Sequence, residues 1–300
     1  RWWIRSDPTV MVVRGVNVQK SLHELIAATS ELRSLPSTTM QLTQLLDDAT
    51  VDASSVMAVI EKDPSLTSNL LKLANSAFYG LRRQVGSTRE ALVLLGNQTV
   101  VNLAFAASMG DILRGPLAAY RLGRNELWHH ALGTGLAAAA LTALDSGNVT
   151  ARERAFTAGL VHDIGKLLLN KPLKNELDQL PVGGDSISLL AAEKRILGFN
   201  HAEAGAMLGE SWNFPEQLVD IIRWHHKPHA AALDQDMARA VAAANLTVSR
   251  LGLTGGTGPL NEDEFWRRMA VLRYTQEEIE PLLAKLPEDL ENVLTMIGQA

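Results

Sequence analysis

The sequence predicts an all-α fold, a multi-helix bundle, on three observations. Apolar residues recur at helical spacing almost without break from Leu22 onward. Helix starts and stops punctuate that pattern, with Asp, Ser or Asn before apolar runs and Gly or Pro after them. Strand-like composition is confined to the first twenty residues, where Val10, Val12, Val13, Val16 and Val18 crowd together.

Taken in order, Leu22, Leu25, Ile26 and Leu32 mark a first amphipathic segment that Pro36 stops. A second runs from Thr38 to about Ala49, with Leu42, Leu45 and Leu46 on one face. Asp52 is an N-cap ahead of Val56, Val59 and Ile60. Asp63-Pro64 starts the next helix, because proline at the first helical position loses no hydrogen bond; Leu66, Leu70, Leu71 and Leu73 form its apolar face. Ser87 and Glu90 have capping-box spacing before Ala91–Leu95, and Gly96 stops that helix. Another spans Thr99 to about Leu113, ended by Gly115-Pro116.

The Ala-rich stretch from Glu126 to Leu144 predicts a long helix packed closely on its neighbours. Helices over 152–169, 187–197, 201–212, 215–226 and 236–251 follow, with Asn200 and Glu203 forming a second capping-box pattern. A Gly- and Thr-rich loop covers 251–259. Beyond Glu262 two more helical stretches are expected around Pro281 and Pro287.

Composition narrows the chemistry. The chain has 300 residues, 46% of them apolar and 20% charged, which suits a globular protein. With no cysteine, disulfides and thiolate metal sites are excluded, and any metal must be held by His, Asp or Glu. The formal charge of −5 disfavours nucleic acid as a partner, although Arg82, Arg83 and Arg89 make a small basic cluster. No run is long enough to span a bilayer, no secretory signal is visible, and a cytoplasmic protein is expected. The chain opens on Arg1 rather than Met and reads as an excised piece, with residues 1–19 an N-terminal extension, the end of a preceding domain or a short hairpin.

Seven of the eight histidines lie between His129 and His229. They fall into the pair His129-His130, the dipeptide His162-Asp163 and the group His201, His225 and His226; His229 follows and His23 stands apart. Imidazole is the commonest metal ligand, and a carboxylate beside it adds the charge that holds a cation. Adjacent residues on a helix point about 100° apart, so His162 and Asp163 share one ion only from the edge of a helix. Lys166 comes one turn later, where it neutralises Asp163 or meets a phosphate. The simpler reading makes His23, His129 and His229 packed or surface side chains, and His225 and His226 residues that complement a helix C-terminus. For His162-Asp163, inside GLVHDIGKLLL, a buried carboxylate needs a partner or a metal, and this favours a shared polar pocket.

Those residues resemble the HD superfamily of metal-dependent phosphohydrolases and, more narrowly, the HDOD domain. The resemblance covers roughly Ser21 to Gly256. LPSTTMQLTQLL, VIEKDPSLTSNLLKLANSAFYG and STREALVLLGNQTVVNLAF carry it in the first half. LWHHALGTGLAAA, GLVHDIGKLLL, FNHAEAGAMLGESWNFPEQLVDIIRWHH and AVAAANLTVSRLG carry it in the second. It implies an HDOD domain over 20–256, divided into an N-terminal helical bundle (20–118) and an HD-like part (119–256), with a helical tail at 257–300. It also implies one or two divalent ions, with Fe, Ni, Zn and Mn as candidates. His130, His162, Asp163, His201, His225 and His226 are the implied ligands, and Lys166 is the catalytic residue if the site is active. The family's final Asp is replaced by Asn245, whose amide oxygen is a weaker ligand without charge. The Gly-Tyr-Pro signature of cyclic di-GMP phosphodiesterases is absent after His225-His226, where KPHAAALDQD stands, so that activity is disfavoured.

Two functions are therefore expected. The favoured one is a bacterial signal-transduction module acting through a protein partner, with the N-terminal bundle over an HD-like pocket. The alternative is a metal-dependent phosphohydrolase taking a nucleotide or phosphate ligand, in which bound metal activates water. Whether the chain is an enzyme stays open at this point.

Overall fold

A computed structural model describes residues 22, 24–27, 29, 32, 35–46, 50–146, 148–181, 186–258 and 260–297. The proposed extension at 1–19 and His23 lie outside them. Among the described residues there is no strand, only an isolated bridge between Leu117 and Leu122, so the all-α expectation holds.

Among the described residues the first part contains the helices α1 (Ser37–Leu45), α2 (Ala53–Ile60), α3 (Pro64–Ala74), α4 (Thr88–Leu95) and α5 (Asn97–Leu113). Their starts follow the local chemistry. Asp52 accepts from Ser55 N, and Asp63 accepts from Ser65 N and Leu66 N with Pro64 at the first helical position. Ser87 caps Glu90 N, while the Glu90 carboxylate reaches back to Gly86 N, one residue earlier than a full capping box requires. Gly96, at φ +83°, ends α4 and begins α5. Leu42, Ile60, Leu70 and Val100 are fully buried, and α5 is the central helix on which α1, α3 and α4 pack.

The second part is built on α6 (Glu126–Ser146) and α7 (Val149–Val161), which pack extensively on each other. The small residues of α6 permit this approach: a Cβ on Gly135 would meet the Phe156 carbonyl at 2.8 Å. After them come α8 (Gly165–Leu173), α9 (Ser186–Leu197), α10 (His201–Ser211), α11 (Glu216–Trp224) and α12 (Gln235–Arg250). Asn200 and Glu203 form the full reciprocal capping box at the start of α10.

Two helical expectations need correction. The helix predicted over 152–169 is two helices, because the chain turns through residues 162–164 between α7 and α8. The cause is packing at Gly165. A Cβ there would lie 1.9 Å from the His201 carbonyl, so α8 must begin where its backbone can press against α10. The tail is α13 (Glu262–Val271), then one continuous helix, α14 (Gln276–Met296), that contains both Pro281 and Pro287. Each proline removes one backbone bond. The apolar face of Ile279, Leu286, Leu290 and Val293 nevertheless buries continuously, and α14 packs on α6.

Candidate metal centre

The turn between α7 and α8 puts His162 and Asp163 at the meeting point of α6, α10 and the residues that follow α11. His130 comes from α6, His201 from the first turn of α10, and His225 and His226 from just beyond α11. The side chains of His130, His162, Asp163, Lys166, His201 and His225 are almost wholly buried. Their ligand atoms form two groups that share Asp163: one with His201, His225 and His226, the other with His130 and His162. Within each group the atoms lie no more than 4.8 Å apart.

Four of the five rings are fixed from behind. His130 Nδ1 lies 2.7 Å from the Leu253 carbonyl, His162 Nδ1 2.7 Å from that of Gly159, and His225 Nδ1 2.7 Å from that of Ile222. A carbonyl oxygen only accepts, so these three Nδ1 atoms carry protons and the Nε2 lone pairs point inward. His201 Nδ1 faces the buried Glu193 carboxylate instead, at 2.8 and 2.9 Å from its two oxygens.

Asp163 Oδ2 accepts from the Lys166 ammonium, which also donates to the Gly255 carbonyl at 2.8 Å. His130 Nε2 and His162 Nε2 stand 3.3 and 3.4 Å from the same oxygen. Asp163 Oδ1 lies 3.2 Å from His201 Nε2 and 3.7 Å from His225 Nε2, yet it has no hydrogen-bond partner. His225 Nε2 also has none.

A buried carboxylate oxygen and imidazole lone pairs that face one another without protons between them are mutually repulsive. His130 Nε2 and His162 Nε2 are 3.3 Å apart in that state. A cation turns this arrangement into an attractive one, and the donor set of imidazoles and carboxylate, without sulfur, suits a divalent transition metal. The residues therefore fit the ion that the sequence implies.

Charge follows the same logic. Burial works against ionising Asp163, but the Lys166 ammonium and the His162 ring outweigh it and hold the carboxyl well below its usual range. Burial and the neighbouring rings push His225 and His226 well below the ordinary imidazole range, and burial lowers His130. Burial opposes charge on His201 as well, but the Glu193 carboxylate prevails and raises it. The lowered imidazoles of His130, His225 and His226 and the ionised Asp163 are in the protonation states that metal binding requires, whereas His201 is biased the other way by Glu193.

The centre opens on a cleft of about 20 Å³, room for one water-sized group. Lys166, His201, His226, Asn245, Ser249 and Thr257 are among the residues that line it. Asn245 thus stands beside the cluster, on α12. A strap over 251–258 covers the rest: a Cβ on Gly255, which sits at φ +59°, would lie 2.8 Å from His130 Nε2.

His130, His162, Asp163, Lys166, His201, His225 and His226 come together as a cluster, and His129 and His229 contribute to neither ligand group. Sequence reasoning missed Glu193, Tyr120 and the strap carbonyls of Leu253 and Gly255. Glu193 left a faint signal, since it shares a helix face with Leu189 and Ala192, where a carboxylate is out of place without a partner.

The HDOD domain pattern matches residues 32–228 of the chain. An uncharacterized protein of Treponema pallidum (strain Nichols) is 28% identical over 258 residues, which cover 81% of this chain and 48% of that protein. The chain thus spans about half the length of that relative. An HDOD domain protein of unknown function from Geobacter sulfurreducens has a similar fold, with a TM-score of 0.75 at 23% identity over 92% of this chain and 97% of that one. A candidate signal-transduction protein of Marinobacter aquaeolei gives 0.69 at 21% identity over 94% and 65%. No helix among the described residues is long and apolar enough to cross a membrane.

Proposed function

This chain belongs to the HDOD domain family, and from that premise we propose that it is a metal-holding signal-transduction domain that acts on a protein partner in the cytoplasm. One observation carries the reading: Asp163 Oδ1, buried without a hydrogen-bond partner, faces the Nε2 atoms of His201 and His225. Asp163, His201, His225 and His226 would hold the first ion. His130 and His162, with the other Asp163 oxygen, would hold a second, on the side that Lys166 now neutralises. Fe, Ni, Zn and Mn all suit such ligands. Asn245 would contribute a weak, uncharged oxygen at the rim.

Closure of the centre supports signalling over turnover. The strap at 251–258 and the narrow cleft leave little room for a substrate, and Asn245 supplies no charge where the family's final carboxylate would. The Marinobacter relative bears a signal-transduction name. In this reading the bundle at 20–118 receives or delivers the signal, the part at 119–256 holds the metal, and the tail at 257–300 braces it.

A second reading, metal-dependent phosphohydrolysis, is favoured by Lys166 at the cleft beside Asn245, Ser249 and Thr257, a cation and neutral donors able to receive a phosphate or nucleotide. A bound ion would there polarise a phosphoryl oxygen and acidify water.

Elemental analysis of protein purified without added metal, beside His162→Ala/Asp163→Ala, tests the premise common to both. About one equivalent or more, lost in a folded variant, is the expected result. Metal-free wild type that takes up none of the four candidate ions would overturn it.

A further inference from the structure

Five rings present Nε2 to the centre, and three of them, His130, His162 and His225, are held by backbone carbonyls, which no substitution can change directly. His201 differs. Its Nδ1 is held by the side chain of Glu193, a carboxylate with no solvent exposure. Glu193 is itself fully engaged: one oxygen accepts from the Tyr120 hydroxyl at 2.8 Å, the other from the His201 backbone N–H at 2.8 Å.

We infer that Glu193, held in place by Tyr120, is the positioning residue that sets the tautomer of His201 and so turns its Nε2 lone pair toward the centre. The inference rests on the reading that the cluster binds a cation. A carboxylate has no proton to donate, so Nδ1 must carry one, and Nε2 is left bare. Outer groups of this kind fix the orientation of a ligating imidazole and raise its basicity.

A purely structural role is the competing account. The His201 N–H is one of the unpaired donors at the start of α10, and Glu193 satisfies it whatever the ring does. Glu193→Gln separates the two. The amide oxygen keeps the His201 N–H satisfied and preserves that link. The NH₂ then occupies the other position, with one hydrogen directed to the Tyr120 oxygen and one to His201 Nδ1. One hydrogen of that NH₂ points at Nδ1 across about 2.9 Å and favours Nδ1 as acceptor, with the ring proton on Nε2 and the ligand atom blocked, whereas the retained amide oxygen, 2.8 Å from Nδ1, can still accept an Nδ1 proton; Glu193→Leu removes both acceptors.

The experiment pairs zinc affinity, measured by chelator competition, with ¹⁵N NMR of the metal-free protein at about pH 9, where imidazoles are neutral. His201 is assigned against a His201→Gln sample. Wild type should show the proton on Nδ1. Glu193→Gln should shift it toward Nε2, and Glu193→Leu should not keep it in full on Nδ1; both should bind zinc about 10- to 100-fold more weakly, the usual range for loss of an outer-shell partner. Tyr120→Phe leaves the carboxylate in place, and it should keep the Nδ1 proton and lose less affinity. An Nε2 proton in wild type, or a fully retained Nδ1 proton with wild-type zinc affinity in folded Glu193→Leu, would overturn the inference. If wild type bound no zinc, the ion reading would fail for zinc, while the tautomers would still decide the role of Glu193.

Discussion

Glu153 provides a sharp test of how the N-terminal part is joined to the helix that leads into the centre. It lies on α7, only 3% exposed, and one of its oxygens has no hydrogen-bond partner. Burial raises its pKa from 4.5 to about 7, although Arg152 and the Tyr79 hydroxyl favour the ionised form. Arg152 is committed elsewhere: it donates to the Phe78 carbonyl and lies over the Phe78 ring at 4.4 Å. The folded state holds this proton more tightly than the unfolded chain. The stabilisation is therefore complete below about pH 4.5 and is lost as pH rises through about 7. Each pKa unit corresponds to about 1.4 kcal/mol, so ionising Glu153 in the fold costs about 3 kcal/mol at pH 8. Glu153→Gln keeps the shape without the charge. Its melting temperature is expected to exceed that of wild type by on the order of 5 °C at about pH 8, and by little at about pH 5. The assay is thermal unfolding of both proteins across that range. Equal gains at both pH values, or none, would show that the carboxyl is ionised in the fold without cost.

Two further outcomes concern the centre itself. Gly255→Ala places a methyl group within 2.8 Å of His130 Nε2 and demands φ +59° of a residue with a side chain, so the strap should lift. Bound metal should then be stripped by a chelator at least about tenfold faster, for a stability cost of about 1–2 kcal/mol; an unchanged stripping rate would mean that the strap does not control access. Asn245→Asp restores a carboxylate to the cleft beside His201 and His226. It should raise manganese affinity by about tenfold in competition titrations, and no gain would place Asn245 out of reach of the ion.

The local parts of this structure were legible because their causes are local. Asp52, Asp63 and Asn200 cap helices through backbone groups two or three residues away, and such spacing is visible in a string of letters. The histidine–aspartate cluster was legible through its residue types and order. The break at 162–164 was not, because the apolar run around it reads as one helix, and what forces the break is Gly165 meeting the His201 carbonyl across the fold. Glu193 and Tyr120 were hidden for the same reason, since their bond links residues 73 positions apart. Prolines misled in the tail, where burial of one face of α14 outweighs two lost backbone bonds.

The same division separates the rings of the centre into fixed and adjustable ones. Gly159 and Ile222 stand three residues before the rings they hold, inside the same turn of chain, so the orientation of His162 and His225 is inherited from helix geometry. His130 depends on a carbonyl 123 residues away, in the strap, and His201 on a carboxylate from another helix. Two rings are thus fixed by secondary structure and two by tertiary contacts. A partner that shifted the strap or α9 would act on His130 or His201 while leaving His162 and His225 in place. Each ligand group contains a ring of each kind, the first with His226 besides, so a displacement of either contact would weaken one group without dismantling the other. In the proposed reading, that asymmetry lets the centre report a change made elsewhere in the bundle.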